Sequence, residues 1–154
     1  MSLHTGQFTI QRTIKASQDR LWHLLIDPNA RTEWGAPSDD HVLEMVRHDV
    51  REGGQDLHRC GSADNPEFEV TTHWYHLGEQ DTACFTEVLE MGGTRLSVSL
   101  VGYDLRAIDG GTELNITVTV TSLVGEDMTN DHHEGWTSAL NRMERIVARE
   151  TADA

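Results

Sequence analysis

The sequence predicts an α+β domain in which one long helix lies across an antiparallel sheet. Three observations carry this. The C-terminal segment has an apolar stripe at helical spacing, the middle of the chain is a series of strand-length runs joined by short glycine-containing turns, and two short helical segments follow the first strand. A one-faced sheet and an amphipathic helix must bury their apolar surfaces against each other.

Phe8, Ile10 and Ile14 alternate with Thr9, Gln11 and Thr13, which sets a strand over 8–14, its apolar face interrupted by Arg12. Ser17 is placed to cap a helix and Asp19 sits in its positive first turn. Leu21, Trp22, Leu24, Leu25 and Ile26 cover a wide arc, so that helix is largely buried. Asp27-Pro28 ends it, because the residue before proline avoids the α region. A second helical turn follows over 29–34 and closes at Gly35-Ala36-Pro37. Strands are expected over 41–48, 55–60, 68–77, 82–91, 94–108 and 112–123. In the last of these Leu114, Ile116, Val118 and Val120 alternate with Glu113, Asn115, Thr117 and Thr119. The joining turns, such as Gly92-Gly93 and Asp109-Gly110-Gly111, imply hairpins and hence antiparallel pairing. The long helix starts between 127 and 131. Its stripe of Trp136, Ala139, Leu140, Met143, Ile146 and Val147 falls within an arc of about 120°.

At 154 residues the chain is one domain, 1–154, large enough for a core without disulfides or metals. Twenty-six Asp and Glu oppose twelve Lys and Arg, giving a net charge of −14. That balance argues against nucleic acid and anionic membrane surfaces, both of which select basic faces. No apolar run is long enough to span a bilayer, and the first sixteen residues lack a secretory pattern. Two cysteines, Cys60 and Cys84, make no disulfide framework. The expectation is a cytoplasmic protein with an acidic outer shell.

Arg12-Thr13-Ile14-Lys15-Ala16-Ser17, then Leu21-Trp22, Asp27-Pro28 and Trp34, resemble the opening of the bacterial family named after the activator of the ninety-kilodalton heat-shock protein ATPase. Asp109-Gly110-Gly111-Thr112-Glu113-Leu114, His133-Glu134-Gly135-Trp136 and Leu140-Asn141-Arg142-Met143 resemble its closing part. These are turn, capping and core positions rather than chemical ones. The resemblance covers nearly the whole chain and implies the START-like, or helix-grip, fold of the SRPBCC superfamily. There a curved antiparallel sheet of six to seven strands wraps the C-terminal helix, often around a cavity. The superfamily includes lipid and hormone carriers, polyketide cyclases and aromatases, so it implies a cavity but no particular reaction. The eukaryotic co-chaperone for which the family is named resembles this chain in its C-terminal domain.

Candidate chemistry is sparse. Nine histidines invite a metal, but His73 and His76 are three apart on a strand, His132 and His133 are adjacent on a helix, and there is no H-E-x-x-H or C-x-x-C. No metal and no cofactor is expected, and no nucleophile elbow or phosphate loop is present. Cys60 and Cys84 read as small strand residues. Glu87 lies between Phe85 and Leu89 on one strand face, with Cys84, Thr86 and Val88 on the other; which face is inward stays open. If the Phe85 face is inward, Glu87 becomes a cavity carboxyl with a raised pKa and a candidate general base. Trp74 and His76 share a face with Phe68, Val70 and Thr72, which makes His76 a second candidate, a polar group in an aromatic wall. The resemblance places Trp34 and Trp136 at the cavity mouth, and the stripe puts Leu140 and Met143 on its helical wall.

Three functions follow as expectations. The first is binding of a small, mostly apolar ligand, with Trp34, Trp74, His76, Trp136, Leu140 and Met143 as its contacts. The second is a cyclase-, aromatase- or hydrolase-type enzyme using the same cavity. The third is a chaperone-interacting domain that stimulates an ATPase. A neutral or weakly cationic ligand suits the negative field, unless Arg12 points inward. Exposed strand edges leave a homodimer open.

Overall fold

A computed structural model describes residues 2–153. The elements run β1 (His4–Ile14), α1 (Gln18–Ile26), α2 (Pro28–Trp34), β2 (His41–Arg47), β3 (Gln55–Ser62), β4 (Asn65–Leu77), β5 (Thr82–Met91), β6 (Thr94–Ile108), β7 (Gly111–Ser122) and α3 (Thr129–Asp153). The seven strands form one antiparallel sheet in the order β1-β7-β6-β5-β4-β3-β2. The chain therefore leaves β1 at one edge, crosses the concave side through α1 and α2, enters the opposite edge at β2, and meanders back.

Local chemistry explains the crossing. Ser17 accepts a hydrogen bond from the Arg20 amide and caps α1. Asp27 serves twice: it ends α1 in extended geometry, and its carboxylate accepts from the Ala30 amide to cap α2, with Pro28 in the first turn. At the other end of α2, Arg142 of α3 donates through Nη1 to the Trp34 and Ala36 carbonyls, both at 2.7 Å, and through Nη2 to Asp39 at 2.8 Å. A cation thus meets the negative end of the helix and fixes α2 against α3. In the β6–β7 hairpin Gly110 takes φ +82°, and a Cβ at Gly111 would lie 2.2 Å from the Ile14 carbonyl oxygen, so that turn closes only with glycines.

The core has two parts. One is sealed: Leu140, Met143 and Val147 of α3 belong to a cluster with Ile10 and Ile14 of β1, Leu114, Ile116 and Val118 of β7, and Leu21, Leu24 and Leu25 of α1. The other is a chain of rings across the sheet toward α3. Trp74 lies 4.9 Å from Phe85, Phe85 5.2 Å from Tyr103, and Tyr103 6.1 Å from Trp136, each in a tilted or edge-on arrangement.

Between α2 and β3 lies a buried ion pair. Arg31 Nη1 donates to Asp56 Oδ2 at 3.0 Å, with Asp56 fully buried. Trp74 Nε1 donates to the same oxygen at 3.0 Å and the Asp49 amide to Oδ1 at 2.8 Å. Replacing Arg31 by Met strands the Asp56 charge. Arg31→Met is expected to lose about 3–5 kcal/mol in urea unfolding, and Arg31→Met/Asp56→Asn to recover part of it, because no charge is left unpaired and the Asn carbonyl still accepts from one of the two N–H groups, Trp74 Nε1 or the Asp49 amide. A single variant as stable as the parent would show that the pair is not held ionised.

Candidate functional site

A cavity of about 370 Å3 opens between α2, the N-terminal half of α3 and the β2–β6 part of the sheet. No residue of β1 or β7 lines it. Its walls are Trp34 of α2; Leu43, Phe68, Val70 and Leu89 of the sheet; the rings of Phe85 and Tyr103; and Trp136 and Ala139 of α3.

Strand register explains where its polarity comes from. Asp56, Thr72, Glu87 and Ser99 stand opposite one another on β3, β4, β5 and β6 and form a polar row across the concave face. The row two residues away, Trp74, Phe85 and Val101, is apolar. The next row on the other side holds His58, Val70, Leu89 and Ser97.

Glu87 faces inward with Phe85 and Leu89 and lines the cavity. It is partly buried, and its carboxyl pKa is raised, first by burial, while the charge of Arg31 works the other way. Burial likewise pushes the Tyr103 phenol up, with Arg31 opposing and Glu87 reinforcing. His58 is held neutral, its pKa pushed down to about 3 by burial and then by Arg31; its Nδ1 has no hydrogen-bond partner. Thr72 Oγ1 is also buried without one. Arg31 is thus the charge at the centre of this polar end. At the mouth His132 donates through Nδ1 to the Met128 carbonyl at 3.0 Å, and its Nε2 lies 3.2 Å from Ser97 Oγ, tying the start of α3 to β6. Burial lowers the His132 pKa, so the neutral ring accepts from Ser97. Cys60 lines the wall with its thiol pushed up to about 11 by burial, which removes it as a nucleophile at neutral pH.

The residues expected from sequence separate into two groups. Trp34, Trp136 and Glu87 line the cavity, with Trp34 held by a hydrogen bond from Nε1 to the Leu24 carbonyl at 2.6 Å. The other four lie elsewhere. His76 is displaced by a bulge: Trp74 pairs with Phe85, but His76 pairs with Cys84 and Leu77 with Ala83, so Leu77 takes the inward place. The His76 ring, about half exposed, bonds Thr82 Oγ1 at 2.8 Å and lies 3.7 Å from Glu52. Trp74 is sealed behind Phe85 and spends its N–H on Asp56. Leu140 and Met143 are fully buried in the sealed core, and Gly135, Trp136 and Ala139 form the helical wall instead. Arg12 does not reach the cavity either; it bonds Asn141 and Glu144 on α3.

Arg31, His58 and Tyr103 were not singled out from the sequence. One signal existed: Arg31 and Trp34 are three apart on α2 and share its buried face. Among the described residues no group of three His, Cys, Asp or Glu is placed to hold a metal ion, and no helix is long and apolar enough to cross a membrane.

A curved antiparallel sheet wrapped around a C-terminal helix with a cavity between them defines the helix-grip class. Residues 15–148 match the family described as "Activator of Hsp90 ATPase homolog 1-like protein", and the chain belongs to that family. Solved structures similar to it include an uncharacterized protein from Rhizobium leguminosarum, 23% identical, with a TM-score of 0.82 over 96% of this chain and 97% of that one. A Rhizobium loti protein is 25% identical, with a TM-score of 0.82 over 94% and 99%. An AHSA1 protein from Silicibacter pomeroyi is 19% identical, with a TM-score of 0.77 over 94% and 99%. No curated protein matches.

The raised carboxyl pKa gives a pH signature. A carboxyl whose folded pKa exceeds its unfolded value stabilises most below the unfolded pKa, and that contribution is lost as pH rises through the folded pKa. Glu87→Gln is uncharged throughout. Its melting temperature relative to the parent should therefore climb between pH 4 and pH 8, by about 2–4 °C for each kcal/mol involved. A flat difference across that range would mean Glu87 is ionised at no cost.

Proposed function

We propose that the protein binds a small, mostly apolar molecule in the cavity between the sheet and α3. The observation that carries this reading is a space of about 370 Å3 walled by aromatic and aliphatic side chains, with its polar groups gathered around Arg31. Ligand pockets have this size and this ratio of apolar wall to placed polar groups. Burying apolar ligand surface contributes about 25 cal/mol per Å2 before the costs of association. The edge-on Tyr103–Trp136 pair supplies a rigid wall at small entropic cost.

A second reading uses the same cavity for catalysis. It rests on Glu87, a partly buried carboxyl opening on the cavity beside a guanidinium, where a proton could be taken from or given to a bound substrate. The chaperone-directed activity in the family's description calls for an exposed docking patch; an enclosed aromatic cavity favours a small molecule over it.

Native mass spectrometry of the protein purified from its own host tests the first reading. The expected result is an adduct of defined mass that Ala139→Trp, which fills the cavity from α3, abolishes while the fold is retained by circular dichroism. If no adduct appears, and a panel of lipids and polycyclic aromatics produces no thermal shift, the ligand-binding reading is wrong.

A further inference from the structure

The identity of the ligand's polar end follows from the groups around Arg31, and rests on the ligand-binding reading above. Arg31 uses only Nη1 on Asp56. Its Nε and Nη2 bond no other described residue, and the residue lines the cavity, so the edge of the guanidinium that grips an oxygen with two parallel N–H bonds is unengaged. The Tyr103 hydroxyl and the Glu87 carboxyl also line the cavity without a protein hydrogen bond among the described residues, and His58, about 5% exposed, has an unpartnered Nδ1. Donors that line a cavity need acceptors once a ligand displaces the water around them, so this end of the cavity calls for an acceptor from the ligand.

Charge counting decides what kind. The one guanidinium is paired with Asp56 behind it, and two further carboxyls, Glu87 and Asp131, line the cavity, so no net positive charge is left for an anion, and the shell of a −14 protein opposes its entry. A cation would have to sit against Arg31 itself. We infer that the ligand is an uncharged molecule with an apolar, aromatic-sized body whose carbonyl oxygen accepts from the Nε–Nη2 edge of Arg31. Tyr103 and Glu87 flank that oxygen, and Trp34, Phe68 and Trp136 hold the body.

Four naphthalenes of matched shape test this by calorimetry at pH 7.5: 2-acetylnaphthalene, 2-naphthoate, 2-(aminomethyl)naphthalene and 2-ethylnaphthalene. The ketone is expected to bind about tenfold more tightly than each of the others, the worth of a hydrogen bond to a charged donor. In Arg31→Met/Asp56→Asn the ketone should fall to the affinity of the hydrocarbon, with hydrocarbon binding kept as proof of an intact cavity. The parent series decides the matter even if that variant does not fold. Preference for the carboxylate or the amine, or equal binding of ketone and hydrocarbon, overturns the carbonyl assignment and leaves the ligand-binding reading standing. If none of the four binds, the assignment of an aromatic-sized carbonyl ligand is overturned, and the native mass spectrometry above decides the ligand-binding reading separately.

Discussion

The buried pair of Arg31 and Asp56 is the interaction on which the rest of the site depends. Removing two charges from water costs several kcal/mol each, and attraction alone does not offset that. Here Asp56 accepts from Arg31, the Trp74 indole and the Asp49 amide, so both its oxygens are used. The consequences are geometric. Helix α2 is fixed to β3, Trp34 is fixed on the cavity wall, and Trp74 is fixed at the end of the ring chain that runs through Phe85 and Tyr103 to α3. Asp56 takes one nitrogen of the guanidinium, and Arg31 also lines the cavity.

The cavity itself is a consequence of widths. Strands spaced about 4.8 Å apart make a seven-stranded sheet about 29 Å wide, while a helix with its side chains covers about 10–12 Å. Helix α3 packs on β1 and β7, where Leu140, Met143 and Val147 seal the interior. It cannot also cover β3 to β5. Helix α2 covers the far side, and the space between the two helices is what a ligand would occupy. Arg142 and Asp39 hold the helices at this separation. Asp39 is bridged by Arg142 and Arg145, and its pKa is lowered chiefly by the Arg142 hydrogen bond.

The acidic balance is distributed around this frame. Much of it is matched locally, as in Arg20–Glu150, Arg12–Glu144 and Arg106–Glu113. The centre of the convex face carries none of it. Thr86, Val88, Val98, Leu100, Thr117 and Thr119 meet there in register, with Leu100 half exposed. Among the described residues, the acids that line the cavity are Glu87 and Asp131, with Asp56 behind Arg31.

The architecture was legible in the sequence because its signals are local. Alternation in β7, capping by Ser17 and Asp27, Gly110 at the β6–β7 turn and the α3 stripe each depend on residues within a few positions, and each element formed within a few residues of expectation. The site was legible only in part: the resemblance placed Trp34 and Trp136 at the cavity, and alternation put Glu87 on the Phe85 face without saying which face is inward. Trp34, Trp136 and Glu87 lie on the cavity wall. His76 does not, because one extra residue in β4 reverses the period, and a bulge leaves no mark on composition. Leu140 and Met143 sit on the right stripe but against the wrong strands, since helical spacing names a buried face and not the partner it meets. Arg31 and Asp56 are twenty-five residues apart on different elements, and each alone reads as a solvated charge. The sequence by itself determined the elements, their order and the apolar faces. Tertiary structure decided which polar groups are enclosed together, because a charge is kept in the interior only by a partner that the fold brings to it.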